Sequence, residues 1–128
     1  MKYLGIDYGE KRVGIATSDD GGNLAFAKTI LLNDKFLIEN ILKICEEEKI
    51  EAIVIGESKN LMGEDNPIQK KILIFRDELA KRINCLIYLE PEFMTSMEAR
   101  HLQEGVKRID ASAAALILKS YLERIKKN

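Results

Sequence analysis

Residues 2–32 read KYLGIDYGEKRVGIATSDDGGNLAFAKTILL and decide the fold. Apolar residues dominate three segments of this stretch, Lys2–Tyr8, Arg12–Ser18 and Leu24–Leu32, and the pattern predicts three β-strands. Residues 19–23, DDGGN, form a strong hairpin signal between the second and third segments, because Gly and Asn accept positive φ angles. Strands joined by tight turns pair as antiparallel neighbours. The stretch therefore predicts an antiparallel three-stranded sheet.

After residue 32 the apolar pattern changes to alternating helices and strands. Asn33 or Asp34 can cap a first helix. The uninterrupted apolar run Ala52–Gly56 predicts a strand covered on both faces, as in a parallel sheet. Apolar stripes at helical spacing predict one helix before this run and one after it. The first stripe comprises Leu37, Ile38, Ile41, Leu42 and Cys45, and the second comprises Ile68, Ile72, Phe75 and Leu79.

The last third of the chain adds one strand and two helices to this pattern. A short strand, Leu86–Leu89, is predicted to stop before Pro91. Thr95 and Glu98 fit a capping box for a third helix, and a fourth helix follows Asp110. The order βββ-α-β-α-β-α-α predicts an α/β fold, with a mixed five-stranded sheet of three antiparallel and then parallel strands and helices on both faces.

The composition is that of one globular domain, expected to span residues 1–128. Apolar residues make up 46% and charged residues 32% of the chain, and the net charge is −1. This balance argues against a strongly basic nucleic-acid binder, but not against an enzyme that acts on nucleic acid. The sequence contains no apolar run of membrane-spanning length, so we expect no membrane association.

The cysteines and the start of the chain favour a cytoplasmic protein. Cys45 and Cys85 lie in apolar surroundings and are interpreted as buried thiols. Asp7 comes before any apolar signal region can form, so we expect no signal peptide. The single histidine, His101, excludes a metal site built from Cys and His side chains.

Four acidic residues stand at predicted strand ends or helix starts. Asp7 interrupts an apolar strand, which is costly for a carboxylate unless it is paired, hydrogen-bonded or bound to a cation. Glu57 and Glu92 follow predicted strands, where open α/β sheets place ligands. Asp110 precedes an alanine-rich helix and also fits an N-cap. For Asp7 the alternative is a turn residue, and for Glu92 an exposed loop residue.

Carboxylates that converge at one end of a sheet need a cation to remain ionised together. Their hard oxygen atoms suit Mg²⁺ or Mn²⁺. Two such ions activate a water and stabilise the leaving oxygen in phosphodiester hydrolysis. Basic residues lie near the candidate acids in sequence and suit contacts with phosphate groups; these are Lys11, Arg12, Lys59, Lys107 and Arg108.

Four segments together resemble the YqgF family over nearly the whole chain. Residues 5–19, GIDYGEKRVGIATSD, are similar to its opening motif. Residues 53–56, IVIG, with residues 60–63, NLMG, resemble its central strand and loop. Residues 92–99, EFMTSMEA, resemble its acidic motif, and residues 110–118, DASAAALIL, its last helix. The family comprises bacterial Holliday-junction-resolvase-like proteins, also described as pre-16S rRNA nucleases, with a ribonuclease H-like fold.

The resemblance implies a metal-dependent nuclease. Its acids carry over to Asp7, Glu92 and Asp110, which would hold Mg²⁺ or Mn²⁺ and serve as the catalytic residues. Substrate-binding residues would be Lys11, Arg12, Asn60 and Gly63. The implied reaction is trimming of the 5′ end of precursor 16S rRNA, and the alternative is cleavage of branched DNA. We expect a nucleic-acid partner and a monomer or homodimer.

Two segments depart from the family pattern. The family's acidic motif usually begins Asp-Glu-Arg, whereas this chain has Pro91-Glu92-Phe93, which lacks an acid and a base beside the glutamate. The usual Leu-Pro after the central strand is Glu57-Ser58. Other ribonuclease H-like nucleases place their second metal-binding acid at the end of that strand, so Glu57 is a candidate to replace or assist Glu92.

Two further hypotheses come from other functional classes. The segment Gly5–Gly9 followed by a hairpin also resembles the phosphate loop of actin-like ATPases, which need two such domains to enclose a nucleotide. The altered segment Pro91–Phe93 motivates the third hypothesis, a non-catalytic module that binds nucleic acid or the ribosome.

Overall fold

The computed structural model describes residues 1–59, 67–93 and 109–126. Its strands are β1 (Tyr3–Tyr8), β2 (Arg12–Ser18), β3 (Ala25–Leu32), β4 (Ala52–Lys59) and β5 (Leu86–Phe93). Its helices are α1 (Leu37–Glu48), α2 (Pro67–Ala80) and α3 (Ile109–Lys126).

The five strands form one mixed sheet in the order β3-β2-β1-β4-β5. The first three strands are antiparallel neighbours, and β4 pairs in parallel with both β1 and β5. Strand β1 therefore lies in the centre of the sheet, between its antiparallel and parallel halves. This confirms the predicted topology and places the carboxyl ends of β1, β4 and β5 along one edge.

Helices cover both faces of the sheet, and the alternation of side chains along each strand separates two apolar clusters. Leu4 and Ile6 of β1 and Ile53 and Ile55 of β4 pack with α1 and α2. The residues between them turn to the opposite face and pack with α3, which contributes Ala114, Ile117, Leu118, Tyr121 and Leu122. The apolar run of β4 is thus buried on both sides, as its composition predicted.

The hairpin between β2 and β3 forms as predicted. Gly22 has a φ angle of 68°. The Oδ1 atom of Asp19 accepts hydrogen bonds from the backbone N–H groups of Asn23 (2.6 Å) and Leu24 (2.8 Å). The hydrogen bond from Leu24, followed by that from Asn23, holds the pKa of Asp19 below its ordinary value. The ionised side chain therefore stabilises the turn.

We expect Asp19→Ala to lower the thermal unfolding midpoint by several degrees at neutral pH, and Asp20→Ala to leave it nearly unchanged. The side chain of Asp20 is 98% exposed, with a single 4.0 Å ion pair to Lys2. Because the pKa of Asp19 is lowered by folding, its contribution is present above the unfolded-state pKa and is lost as the pH falls through the folded-state pKa. Calorimetry from neutral to acidic pH should show the unfolding midpoints of the two variants converging. A gap that persists in acid would contradict this role of the carboxylate.

The start of α1 differs from the prediction. Phe36 is the N-cap residue, and none of the described side chains caps the helix. Asp34 instead accepts a hydrogen bond from the Phe36 N–H at 2.9 Å, and Asn33 donates one to the carbonyl oxygen of Gly9 at 2.7 Å. The two polar side chains are used in the preceding turn, because each finds a backbone partner before the helix begins.

Both parallel strands β4 and β5 extend beyond their predicted ends. Strand β4 continues through Glu57 and Ser58, and the Ser58 N–H donates to Oε1 of Gln69 at 2.8 Å. Strand β5 continues through Pro91, which pairs with Glu57 in register. Within the described residues β5 pairs with β4 alone, so it is an edge strand, where a residue without an N–H group is tolerated.

Helix α3 begins at Ile109, so Asp110 lies in its first turn and not at the predicted N-cap. An acid in the first turn is still favoured by the helix dipole. The predicted helix between Thr95 and Gly105 lies outside the described residues. No helix of the described chain is both long and apolar enough to cross a membrane.

Candidate active site

Asp7 lies near the carboxyl end of the central strand β1, opposite Gly14 of β2. Its side chain is half-buried. Because Tyr3 packs in the cluster beneath α3 and Asp7 follows it at an even spacing, Asp7 turns to the α3 side of the sheet. The carboxylate thus stands at the edge of the sheet where the parallel strands end, the usual place for ligands in such sheets.

Helix α3 crosses β1 in very close contact at Gly5. A Cβ atom on Gly5 would lie 2.9 Å from Cβ of Leu118 and 3.0 Å from the carbonyl oxygen of Ala114. Further back along β1, the rings of Tyr3 and Tyr121 are 5.8 Å apart. The helix therefore runs antiparallel to β1, with its first turn toward the carboxyl end of the strand.

This direction brings the backbone of Asp110 toward Asp7. Asp110 precedes Ala114 by one turn, about 6 Å along the helix axis. Asp7 lies two residues beyond Gly5, about 6.6 Å along the strand. The backbones of Asp7 and Asp110 therefore lie at a similar level along the direction of β1. The side chain of Asp110 lies outside the described part of the structure.

Glu92 lies at the same edge on β5, where it pairs in register with Ser58. It is in phase along the strand with Tyr88 and Glu90, both of which contact α3: the rings of Tyr88 and Tyr121 are 5.4 Å apart, and Glu90 bonds to Arg124. The side chain of Glu92 itself is outside the described part. At the level of the backbone, the candidate acids are thus on β1, on β5 and at the start of α3.

Glu57 lies on the opposite face of the sheet from Asp7. Its Oε2 atom accepts a hydrogen bond from Nε2 of Gln69 on α2 at 3.2 Å, and Gln69 is only 2% exposed. Ile53 and Ile55, which precede it at even spacing on β4, pack on the same α2 face. Glu57 is therefore separated from Asp7 by the sheet and is poorly placed to replace or assist Glu92.

Lys11, in the turn that follows β1, and Arg12, the first residue of β2, are both exposed. Asn33 holds this turn, since its N–H donates to the carbonyl oxygen of Lys11 at 2.9 Å and its side chain donates to that of Gly9. The two cationic side chains are thus presented to solvent at the same end of the sheet as Asp7. Asn60 and Gly63, the other predicted substrate-binding residues, lie outside the described residues.

Sequence reasoning missed two buried polar residues, Gln69 and Glu90. Gln69 joins the end of β4 to α2, and Glu90 joins β5 to α3. In sequence Gln69 is one polar residue of an amphipathic helix. Glu90 was detectable only from the alternation of β5, in which it follows Tyr88 on one face.

Burial disfavours the thiolate form of both cysteines. Cys45 is buried, and burial raises the pKa of its thiol to about 12, so the thiolate is scarcely populated at neutral pH. Cys85 is half-buried, less covered than predicted, and its Sγ atom donates to the carbonyl oxygen of Ile50 at 3.2 Å. Burial raises the pKa of the Cys85 thiol as well.

Among the side chains that the structure describes, no group of three or more His, Cys, Asp and Glu residues could hold a metal ion. Of the three predicted ligands, Asp7 alone has a side chain that the structure describes. The donor chemistry of Asp7 fits a hard divalent cation, because it is a half-buried carboxylate at the edge where the parallel strands of the mixed sheet end.

Comparisons with known proteins agree with this architecture. A family model for RuvX, described as a Holliday junction resolvase, matches residues 1–124. A protein of Nitratidesulfovibrio vulgaris named as a pre-16S rRNA nuclease is 39% identical, over 95% of this chain and 93% of that protein. One of the same name from Rickettsia felis is 37% identical, over 97% of this chain and 87% of that protein.

The fold has a counterpart among solved structures. Thermus thermophilus RuvC, solved in complex with a Holliday junction substrate, superposes with a TM-score of 0.59 over 98% of this chain and 96% of that one, at 15% identity. This likeness confirms the ribonuclease H-like fold. From its sequence relatives, the chain belongs to the RuvX family, the family that its motifs resemble under the name YqgF.

Proposed function

We propose that this protein is a divalent-metal-dependent nuclease that hydrolyses phosphodiester bonds during 5′-end processing of precursor 16S rRNA in the cytoplasm. Residues 1–128 would form a single nuclease domain. The observation that carries the proposal is the position of Asp7, a carboxylate at the carboxyl edge of the sheet on the side that α3 covers. The strand that bears Glu92 and the helix that bears Asp110 reach the same edge.

In this proposal the carboxylates of Asp7, Glu92 and Asp110 hold Mg²⁺ or Mn²⁺. When bound, such ions lower the pKa of a water and stabilise charge on the leaving oxygen. The strand that bears Asp7 is well supported, because it pairs on both sides and α3 packs directly against Gly5. Rigid support of a ligand fixes the geometry that the reaction needs.

Lys11 and Arg12 would bind the phosphate backbone beside the scissile bond. Both are exposed; Lys11 lies in the turn between β1 and β2, and Arg12 is the first residue of β2. Contacts of this kind position a nucleic acid without reading its sequence, and they make binding depend on salt concentration.

Precursor rRNA is the favoured substrate because the two relatives reported above are named as pre-16S rRNA nucleases. The second candidate substrate is a four-way DNA junction. It is favoured by the description of the matching family model as a Holliday junction resolvase. Both candidates require the same chemistry at phosphorus and differ in the shape of the nucleic acid.

The test is a cleavage assay of the purified protein on two labelled substrates, a 5′ segment of precursor 16S rRNA and a four-way DNA junction. We expect RNA cleavage in Mg²⁺ or Mn²⁺ and none in EDTA. Cleavage of the junction alone would overturn the rRNA assignment and leave the nuclease assignment standing. Binding of RNA without cleavage in either metal would overturn the nuclease assignment and favour a non-catalytic module.

A further inference from the structure

Glu90 is the one charged residue in the buried class among the described residues, with 4% of its surface exposed. It lies on the edge strand β5, two residues before Glu92. A buried carboxylate is costly unless its oxygens are bonded. The partners of Glu90 therefore indicate why the sequence has an acid at this position.

Both oxygens of Glu90 are bonded to α3. Oε2 accepts from Oγ of Ser120 at 3.0 Å, and Oε1 accepts from Nε of Arg124 at 3.1 Å and also from its Nη2. The guanidinium of Arg124 also lies 5.4 Å from the centre of the Tyr121 ring. We name Glu90, Ser120 and Arg124 the Glu90 network. Its charge-assisted hydrogen bonds join the edge strand to the helix.

Stability alone does not account for the Glu90 network. Helix α3 is already held by a buried apolar cluster that includes Leu118 and Leu122. The side chain of Arg124 is 52% exposed, and an ion pair with an exposed partner contributes little to stability. Directional bonds differ from apolar contacts because they fix the orientation of one element on another, and they do so here for β5 and α3.

That orientation decides where two of the proposed metal ligands lie. Glu92 follows Glu90 by two residues on β5, and Asp110 precedes Ser120 by ten residues on α3, about 15 Å along the axis. A helix tilt of about 4° at the network would move the start of α3 by about 1 Å. Displacements of this size are enough to impair catalysis.

We propose that Glu90, bonded to Ser120 and Arg124, is a positioning residue that holds β5 and α3 in the relative orientation needed for Glu92 and Asp110 to bind one metal site. This inference rests on the proposed function. It adds that the site depends on an ionic link between a buried carboxylate and a half-exposed guanidinium, which would touch neither metal nor substrate. A misplacement of about 1 Å at a catalytic site can reduce activity by about a hundredfold.

The experiment compares four proteins. They are the wild type, a double variant that carries both Glu90→Leu and Arg124→Leu, the single variant Glu90→Gln, and a control, Glu123→Gln. Glu123 lies on the same helix but is 60% exposed, in a 3.9 Å ion pair with Lys119. Each protein is measured by thermal unfolding, by calorimetric titration with Mn²⁺ in the absence of substrate, and by kcat and KM on the RNA substrate.

We expect the double variant to fold but to bind Mn²⁺ more weakly than the wild type, with a loss in kcat of up to about a hundredfold. KM should stay within about twofold, because the substrate contacts are elsewhere. The Mn²⁺ affinity and kcat of Glu90→Gln should lie between those of the double variant and the wild type. Those of Glu123→Gln should match the wild type.

Wild-type Mn²⁺ affinity and kcat in a folded double variant would overturn the inference. If the double variant does not fold, Glu90→Gln decides in its place; failure of both to fold would also overturn it, since the network would then be structural. A wild-type protein that binds Mn²⁺ but cleaves nothing would contradict the nuclease proposal, and the Mn²⁺ affinities would still decide the role of Glu90. A wild type that neither binds Mn²⁺ nor cleaves would overturn both.

Discussion

Asp7→Asn is expected to reduce kcat on precursor 16S rRNA by about a thousandfold, the upper range for loss of one group that stabilises the transition state electrostatically. The substitution keeps the size of the side chain and removes its charge. A neutral amide oxygen is a weaker ligand for Mg²⁺ than a carboxylate, so affinity for the metal should fall as well. Single-turnover kinetics at saturating RNA and increasing Mg²⁺ would separate the two effects.

Glu57→Gln is the matched control for this variant. Like Asp7, Glu57 is an acidic residue at the carboxyl edge of the sheet, but its carboxylate accepts a hydrogen bond from Gln69 on the α2 face. We expect its kcat to remain within about twofold of the wild type. Equal losses in the two variants would indicate a general effect on folding or charge. Full activity in Asp7→Asn would remove Asp7 from the catalytic machinery.

The topology was predictable from local signals. The hairpin residues 19–23 fix the pairing of β2 with β3, because Gly22 adopts the positive φ that the turn requires. The run Ala52–Gly56 is apolar at every position, and the structure buries it between α1 and α2 on one side and α3 on the other. Signals of this kind act over a few residues, so they can be read from a single sequence.

The ends of β4 and β5 were not predictable in the same way. Strand β4 continues to Lys59 with the Ser58 N–H bonded to Gln69, a residue eleven positions away. Strand β5 passes through Pro91 because it lies at the edge of the sheet. In both cases the decisive contact is tertiary, and local propensity carries no information about it.

The ambiguity between Glu57 and Glu92 was partly resolvable from the sequence. Side chains alternate along a strand, so Glu57 shares a face with Ile53 and Ile55, whereas Asp7 shares one with Tyr3 and Gly5. Assigning those two faces to different helices required the structure, which places α2 over one and α3 over the other. The role of Asp7 is a prediction that Asp7→Asn tests, and the roles of Glu92 and Asp110 stay predictions.

Gly5→Ala is expected to destabilise the protein by about 1–3 kcal/mol, the usual cost of forcing an extra methyl group into a packed core. The new Cβ would lie 2.9 Å from Cβ of Leu118 and 3.0 Å from the carbonyl oxygen of Ala114. The second of these atoms belongs to the helix backbone, so the clash cannot be relieved by a side-chain rotation and α3 must move. The reduced entropy of the unfolded chain would return only about 0.4–1 kcal/mol, so the net effect is a loss.

The control for this variant is Gly21→Ala in the β2–β3 hairpin. There the added Cβ would meet Nδ2 of Asn23 at 2.8 Å, the end of an exposed side chain that can rotate away, so we expect a much smaller change. Urea unfolding of both variants measures the difference. Because α3 carries Asp110, its displacement should also lower kcat in the folded fraction of Gly5→Ala, by up to about a hundredfold for a shift of about 1 Å. If Gly5→Ala unfolds at a lower urea concentration yet keeps its full kcat, the site tolerates movement of α3, and Asp110 is not held against Asp7 by the contact at Gly5.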